Sequence, residues 1–294
     1  MEGPSPAVSV ICLCYNHSKY VREAIESVLR QTYEPIQLIV VDDASTDDSK
    51  SVIKSIVSSL PGIRFISLPE NVGNCRAFNK ALKLAEGDYI IDLAADDILL
   101  PSRVEEGVHE FTRRDATFGV NFTNAEIITS KGEHSKYFYP VDCQGRSLER
   151  ISEGDVFLDL IDRYYICPPS MMYKKDVLMK LEGYDENLTY EDFDFWVRSS
   201  RFYKYCYTDN ILVKKRILKN SKSSNQFKLL NKHTYSTFLV IEKALNLIET
   251  TEEKQALLRR GRYELRKAIQ HLNLGTAIRY FDLLKRIEDF EKVA

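Results

Sequence analysis

Three pairs of neighbouring acids stand out by type and spacing: Asp42-Asp43, Asp96-Asp97 and Glu191-Asp192. The first follows directly on the apolar run Leu38 to Val41, and the second leaves the run Tyr89 to Leu93 by way of Ala94-Ala95. Two carboxylates ~5 Å apart repel by about 3 kcal/mol at an effective dielectric constant of ~20. A divalent cation removes that cost, and Mg²⁺ or Mn²⁺ fits because both take oxygen ligands and keep bound water. Tyr15 and Asp43 suit a different task. An aromatic ring stacks on a base, and a carboxylate accepts a hydrogen bond from a uracil or thymine imide N–H. The alternatives are structural: Asp43 and Ser45 as caps of the following helix, Asp96-Asp97 as a solvated turn, Glu191-Asp192 as first-turn acids favoured by the helix dipole.

The elements that must position these acids alternate. Val8 to Leu13 is short and almost wholly apolar, as expected of a strand covered on both faces. Val21, Ala24, Ile25, Val28 and Leu29 recur at helical spacing. Leu38 to Val41 is a second strand. A helix through Val52, Ile53 and Ile56 follows, then a strand over Ile63 to Leu68 and a turn at Asn71 to Asn74. A helix from about Arg76 to Ala85, with Phe78, Ala81, Leu82 and Leu84 inward, ends at Gly87. Tyr89 to Leu93 is the fourth strand, and Pro101 suits the first turn of the next helix. This is an α/β pattern, and in an open α/β sheet ligands bind beyond the carboxyl ends of the strands. Both aspartate pairs sit there.

Further on, Phe118 to Phe122 reads as a strand and 127–150 as a hairpin or loop. Helices are expected over Val156 to Arg163, from Asp176 to Gly183, and over Tyr190 to Phe202. Cys167-Pro168-Pro169-Ser170 is a rigid corner. Past Ser224 strand signals vanish, leaving amphipathic helices broken near Thr250-Thr251 and Gly275. One apolar face carries Leu239, Ile241, Ala244, Leu245 and Leu247; another carries Leu265, Ala268, Ile269 and Leu272.

A chain of 294 residues buries a large core, as one large domain or one plus an appendage. Its net charge of −2 gives no bulk attraction to nucleic acid. Six cysteines without CxxC spacing are expected to be small buried residues rather than zinc ligands or disulfides. Neither a secretory leader nor a membrane-spanning run is evident. A soluble cytoplasmic protein is expected. Arg259, Arg260, Arg262, Arg266 and Lys267 form a solvated helix face, with docking on anionic lipid at the inner membrane face as the second reading.

Tyr15-Asn16, Gln31-Thr32 and Val41-Asp42-Asp43-Ala44-Ser45, in that order, closely resemble the opening of the family 2 inverting glycosyltransferases. Gly183-Tyr184-Asp185-Glu186 followed by Tyr190-Glu191-Asp192 resembles their acceptor-side motif. The resemblance implies a GT-A, Rossmann-like fold: a mixed, mostly parallel sheet flanked by helices, with a C-terminal helical appendage. It divides the chain at 1–223 (a nucleotide-sugar half of about 1–100, an acceptor half of about 101–223) and 224–294. It implies transfer of a sugar, from a UDP-sugar in the first instance, to a hydroxyl of a carbohydrate or lipid-linked saccharide, in surface polysaccharide or glycolipid synthesis. Leu13, Tyr15, Asp43, Arg76, Asp96 and Arg216 would line the nucleotide. Asp97 would hold Mn²⁺ or Mg²⁺, and Asp192 would be the base.

Two positions depart from that pattern. Ala94 stands where many relatives carry an aspartate, and Leu218 where they carry a histidine, in a segment that keeps Arg216, Ser221 and Ser223. The implied cation then rests mainly on Asp97, the diphosphate and water. A nucleotidyltransferase is disfavoured, because Cys14-Tyr15-Asn16-His17 replaces the glycine-rich basic loop that a triphosphate needs. A non-catalytic nucleotide-sugar-binding protein remains the other alternative.

Overall fold

The structure, a computed structural model, describes residues 5–218 and 232–290. In chain order its elements are β1 (Val8–Cys14), α1 (Val21–Leu29), β2 (Ile36–Asp42), α2 (Ser49–Ser59), β3 (Arg64–Ser67), α3 (Asn74–Leu82), β4 (Tyr89–Ala94), β5 (Ile98–Leu99), α4 (Arg103–Arg113), β6 (Phe118–Ile128) and β7 (His134–Tyr137). Then come α5 (Phe157–Asp162), a 3-10 turn (Pro168–Ser170), β8 (Met172–Lys174), α6 (Lys175–Lys180), α7 (Asp192–Ser200), β9 (Lys204–Arg216), α8 (Lys232–Leu245), α9 (Thr251–Gln270) and α10 (Leu274–Glu288).

These elements fall into two compact units, neither of which is one stretch of sequence. The first comprises 1–154, 166–184 and 204–217; the second comprises 155–165, 185–203 and 218–294. The expected boundary between 223 and 224 lies outside the described residues, as do Ser221 and Ser223. Residues 155–165 and 185–203, read from the sequence as part of the acceptor half, group with the C-terminal helices.

In the first unit the sheet order is β3-β2-β1-β4-β8-β6-β9-β5, with β7 on β6. β3, β2, β1 and β4 are parallel, with Cys14 beside Asp42, Asp42 beside Ser67, and Leu13 beside Ala94. Every residue of β1 is buried, which is why its sequence is a continuous apolar run. Helix α1 buries Val21, Ala24, Ile25 and Val28. Each of its larger apolar side chains contributes about 1.5–3 kcal/mol when removed from water. Leu29, at the helix end, is 48% exposed, and Leu84 is likewise outside the core rather than inward.

Strand β9 was not legible beforehand. Its residues carry Lys, Asp and Asn among the apolar ones, so no clean alternation shows. Parallel pairing with β6, through three register irregularities, and antiparallel pairing with β5 make it a strand. Short β5 was missed for want of length. The Cys167–Ser170 corner is confirmed as a one-turn 3-10 helix, pinned by buried Arg103, whose Nη2 donates to the Ser170 carbonyl at 2.8 Å. Five of the six cysteines are buried and none forms a disulfide; Cys143 alone is exposed. Burial pushes the Cys14 thiol up to about 11 and that of Cys167 to about 12, so both stay protonated and inert at neutral pH.

The second unit is helical. The expected break at Thr250-Thr251 is a capping box: Thr250 Oγ1 accepts from the Glu253 N–H at 3.1 Å, and Glu253 Oε2 accepts from the Thr250 N–H at 3.2 Å. Arg201 Nη1 meets Glu253 Oε1 at 2.9 Å. Leu265 and Ala268 are buried as expected, but Ile269 and Leu272 are exposed, because the chain turns at 271–273 beyond the reach of the packed face. No described helix is long and apolar enough to cross a membrane.

Candidate active site

The first unit gathers Leu13, Tyr15, Asp43, Asp96 and Asp97 at the carboxyl ends of three adjacent strands, β2, β1 and β4. At a strand spacing of ~4.8 Å these ends span about 10 Å. Two short loops there are stitched together. Asn16, at a positive φ of 59°, uses Oδ1 to accept from the Thr46 N–H at 2.8 Å, and Ser45 Oγ accepts from the Asn16 N–H at 3.0 Å. Asp47 Oδ2 accepts from the Ser18 N–H at 3.0 Å, and Ser49 Oγ from the His17 N–H at 2.9 Å. Asn16 is therefore an ordering residue. Tyr15, beside it, is 44% exposed, with its ring available to a ligand.

Asp43 is buried and, rather than capping α2, holds the turn that leads into α3. Its Oδ1 accepts from the Val72 N–H at 2.8 Å and its Oδ2 from the Gly73 N–H at 3.0 Å. Gly73 has φ 85°, a conformation that suits glycine and aims both N–H groups at the carboxylate. A carboxylate oxygen has two lone-pair sites, so each retains one. Arg76 lies exposed in the first turn of the helix that Asp43 anchors. Asp42 is wholly buried, and neither of its oxygens has a hydrogen-bond partner among the described residues. Spacing gave no warning of that difference between the two neighbours.

Asp97 is buried, and its Oδ1 accepts from the Arg216 N–H at 2.8 Å. Burial, then the adjacent Asp96 charge, pushes its carboxyl up to about 8; the Arg216 N–H and the cations Lys215 and Arg216 only partly oppose this. The Asp96 carboxylate lies 3.5 Å from His17 Nδ1, a contact too long for a good hydrogen bond, and that nitrogen has no hydrogen-bond partner among the described residues. His17 thus faces the acidic pair.

Arg216 was expected to face phosphate oxygens. Its side chain is instead 3% exposed, and each of its three nitrogens makes a hydrogen bond. Nε donates to the Asp96 carbonyl at 3.0 Å, Nη1 to the Thr129 carbonyl at 3.3 Å, and Nη2 to Glu23 Oε2 at 2.6 Å. The guanidinium also lies 4.7 Å over the Tyr20 ring. Glu23 and Tyr20 were not singled out from sequence, and no signal there could have done so: Glu23 and Arg216 are 193 positions apart.

The donor set fits Mg²⁺ or Mn²⁺ in a limited way. Among the described residues no three His, Cys, Asp or Glu side chains cluster to hold an ion by themselves. The Asp96-Asp97 pair supplies carboxylate oxygen whose repulsion Lys215 and Arg216 only partly offset, which suits an ion that draws its remaining ligands from a phosphorylated substrate and water. Leu218 offers no donor.

In the second unit Asp192 opens α7, half-buried, with Oδ1 accepting from the Phe193 N–H at 2.8 Å. It borders Tyr164, whose hydroxyl is pushed up by burial and, in smaller part, by the Asp192 charge. Asp194 differs sharply. It is 1% exposed and held by Arg198 Nε at 2.7 Å and Lys243 Nζ at 2.6 Å. Trp196 is core.

Residues 9–182 match the model of glycosyl transferase family 2. An uncharacterized glycosyltransferase of Methanocaldococcus jannaschii is 30% identical over 240 residues, 80% of this chain and 79% of the relative. One of Rickettsia typhi is 32% identical over 72% of this chain and 64% of its own length. Chondroitin synthase of Escherichia coli is 29% identical over 77% of this chain but 32% of its own length. Among solved structures, S. aureus TarS 1–349 in complex with UDP-GlcNAc superposes with a TM-score of 0.66 at 18% identity, covering 90% of this chain and 73% of TarS 1–349. The mannosyltransferase PcManGT of Pyrobaculum calidifontis, in complex with GDP-Man and Mn²⁺, gives 0.59 at 16% identity, covering 96% and 84%. The architecture is the GT-A type expected from the sequence.

Proposed function

The chain belongs to glycosyl transferase family 2 and is a glycosyltransferase, and from that premise we propose that it moves a sugar from a UDP-sugar to a hydroxyl acceptor with inversion at the anomeric carbon. The observation that carries the reading is the Asp96-Asp97 pair at the end of β4: a buried carboxyl raised by burial and by its acidic neighbour, at the ligand-binding edge of a parallel sheet. A bound Mn²⁺ or Mg²⁺ would supply Lewis-acid stabilisation of the departing nucleoside diphosphate, with Asp97 holding it and Asp96 lining the nucleotide beside it. Tyr15 stacks on the base, and Asp43 uses a remaining lone pair on the imide N–H. Leu13 closes the strand end beneath them, and Arg76 reaches the base or a phosphate. Arg216 positions Asp97 and Asp96 instead of touching the diphosphate. Asp192 takes the acceptor proton; Asp194 cannot, since two cations already hold it. The acceptor class is a carbohydrate or lipid-linked saccharide, in surface polysaccharide or glycolipid synthesis.

The test is UDP-sugar hydrolysis by the wild type and by Asp192→Asn, alongside thermal shifts with UDP, with and without Mn²⁺. UDP should raise the melting temperature by mass action, more so with Mn²⁺. Asp192→Asn should lower turnover about 10²–10⁴-fold and leave the UDP shift unchanged. Equal turnover in both proteins removes Asp192 as the base. Firm UDP binding with no turnover favours a non-catalytic binder.

A further inference from the structure

In the second unit the α9–α10 hairpin carries apolar surface that its own core does not use. The two helices run antiparallel: Arg262 Nη2 meets Glu288 Oε1 at 2.9 Å, and Lys254 Nζ reaches the Glu288 carbonyl at 2.6 Å. Leu265, Ala268, Tyr280, Leu283 and Ile287 are buried. At the turn joining the helices, Ile269, Leu272, Leu274, Ile278 and Phe281 are 45%, 70%, 61%, 63% and 52% exposed. Leu274, Ile278 and Phe281 recur at i, i+4 and i+7, a second apolar stripe on α10 besides the buried one. Single exposed apolar residues are ordinary; five around one turn mark a contact surface.

The charge around this tip is predominantly basic. Between positions 262 and 286 the exposed charged side chains are Arg262, Arg266, Arg279, Lys285 and Arg286, with Asp282 the one exposed acid; Arg262 and Arg286 are ion-paired with Glu288 and Glu242, which leaves Arg266, Arg279 and Lys285 as the excess. Glu264 is buried against Arg260. The whole chain carries −2, so this excess is local. Arg266 lies one turn before Ile269, and Lys285 one turn after Phe281 on the same stripe. Arg266 therefore stands about 5 Å along its helix from Ile269, and Lys285 about 6 Å from Phe281, each within reach of lipid phosphates as the apolar stripe enters the interface.

We propose that the α9–α10 tip docks on an anionic membrane surface, its apolar residues at the headgroup–acyl boundary and Arg266 and Lys285 among lipid phosphates. Charge favours this occupant over a second copy of the chain, since pairing two such faces would bring two basic rims together. The inference stands apart from the catalytic reading and is tested without an activity measurement.

The experiment is cosedimentation of the full chain with phosphatidylcholine vesicles, with and without phosphatidylglycerol, at low and high salt. The wild type should pellet with the anionic vesicles only, and less at high salt. Leu272→Glu with Ile278→Glu should lower partitioning roughly tenfold or more. Arg266→Gln with Lys285→Gln should lower it about fivefold per charge removed. All four sites are exposed, so melting temperatures should not move. Failure of the wild type to pellet with anionic vesicles, or undiminished pelleting of the Leu272→Glu/Ile278→Glu protein, overturns the proposal. So does a concentration-dependent dimer that this double substitution dissociates, in the absence of vesicle binding.

Discussion

Replacing Arg216 by methionine keeps most of the aliphatic stem and removes the guanidinium. In the structure that group gives hydrogen bonds to the Asp96 and Thr129 carbonyls at 3.0 and 3.3 Å. A bond from a charged donor is worth about 1.5–3 kcal/mol; the second is long, so the two together contribute about 2 kcal/mol. The Glu23 contact is short, but Glu23 is 52% exposed, so solvent screening reduces it to under about 1 kcal/mol. The Tyr20 ring contact adds about 0.5–1 kcal/mol. The backbone N–H that serves Asp97 survives the substitution. The expected loss is about 3 kcal/mol, or a fall in melting temperature of roughly 6–12 °C in ligand-free protein. Thermal unfolding without nucleotide measures it. If Arg216→Met melts with the wild type and only donor affinity suffers, the guanidinium serves the diphosphate rather than the fold, and the clamp assigned to it is wrong.

Gly183→Ala should destabilise by about 2–4 kcal/mol: Gly183 has φ 71°, and a Cβ there would lie 2.4 Å from Asn79 Oδ1, which accepts the Tyr184 N–H. Gly145→Ala, at φ 78° with open space around it, is the control and should cost only about 1–2 kcal/mol in chemical denaturation; equal costs would refute the role of the Asn79 contact. Burial works to raise the Asp47 carboxyl, but hydrogen bonds from Ser49 and Ser18 outweigh it and hold the group at about 2, against 3.8 for an ordinary aspartate. A depressed folded-state value means that the stabilisation is complete above about pH 4 and is lost as the pH falls through about 2. The stability difference between wild type and Asp47→Asn should shrink across that window, and a constant difference would contradict it.

Much of the first hundred residues was legible because their strands are covered on both faces, and such strands write themselves as unbroken apolar runs. β1, β2 and β4 were readable for that reason, and the acids at their ends inherited a position from the rule that ligands lie beyond the carboxyl ends of the strands. The capping box marked the start of α9 at the expected break. β9 was hidden because its fitness as a strand lies in its partners, β6 and β5, not in its own alternation. Helical spacing likewise shows which face is apolar but not what covers it, so nothing local announced that α5 and α7 group with the C-terminal helices.

By itself, the sequence determined the element order of the nucleotide half, the family resemblance and the candidate acids. Tertiary structure decided what each of those groups is free to do. Asp43 anchors the start of α3, Asp194 is held by two cations, and Arg216 reaches back across 193 positions to Glu23. The reason is physical: a side chain's protonation and hydrogen-bond capacity depend on burial and on neighbours brought from remote parts of the chain, and no local pattern encodes those.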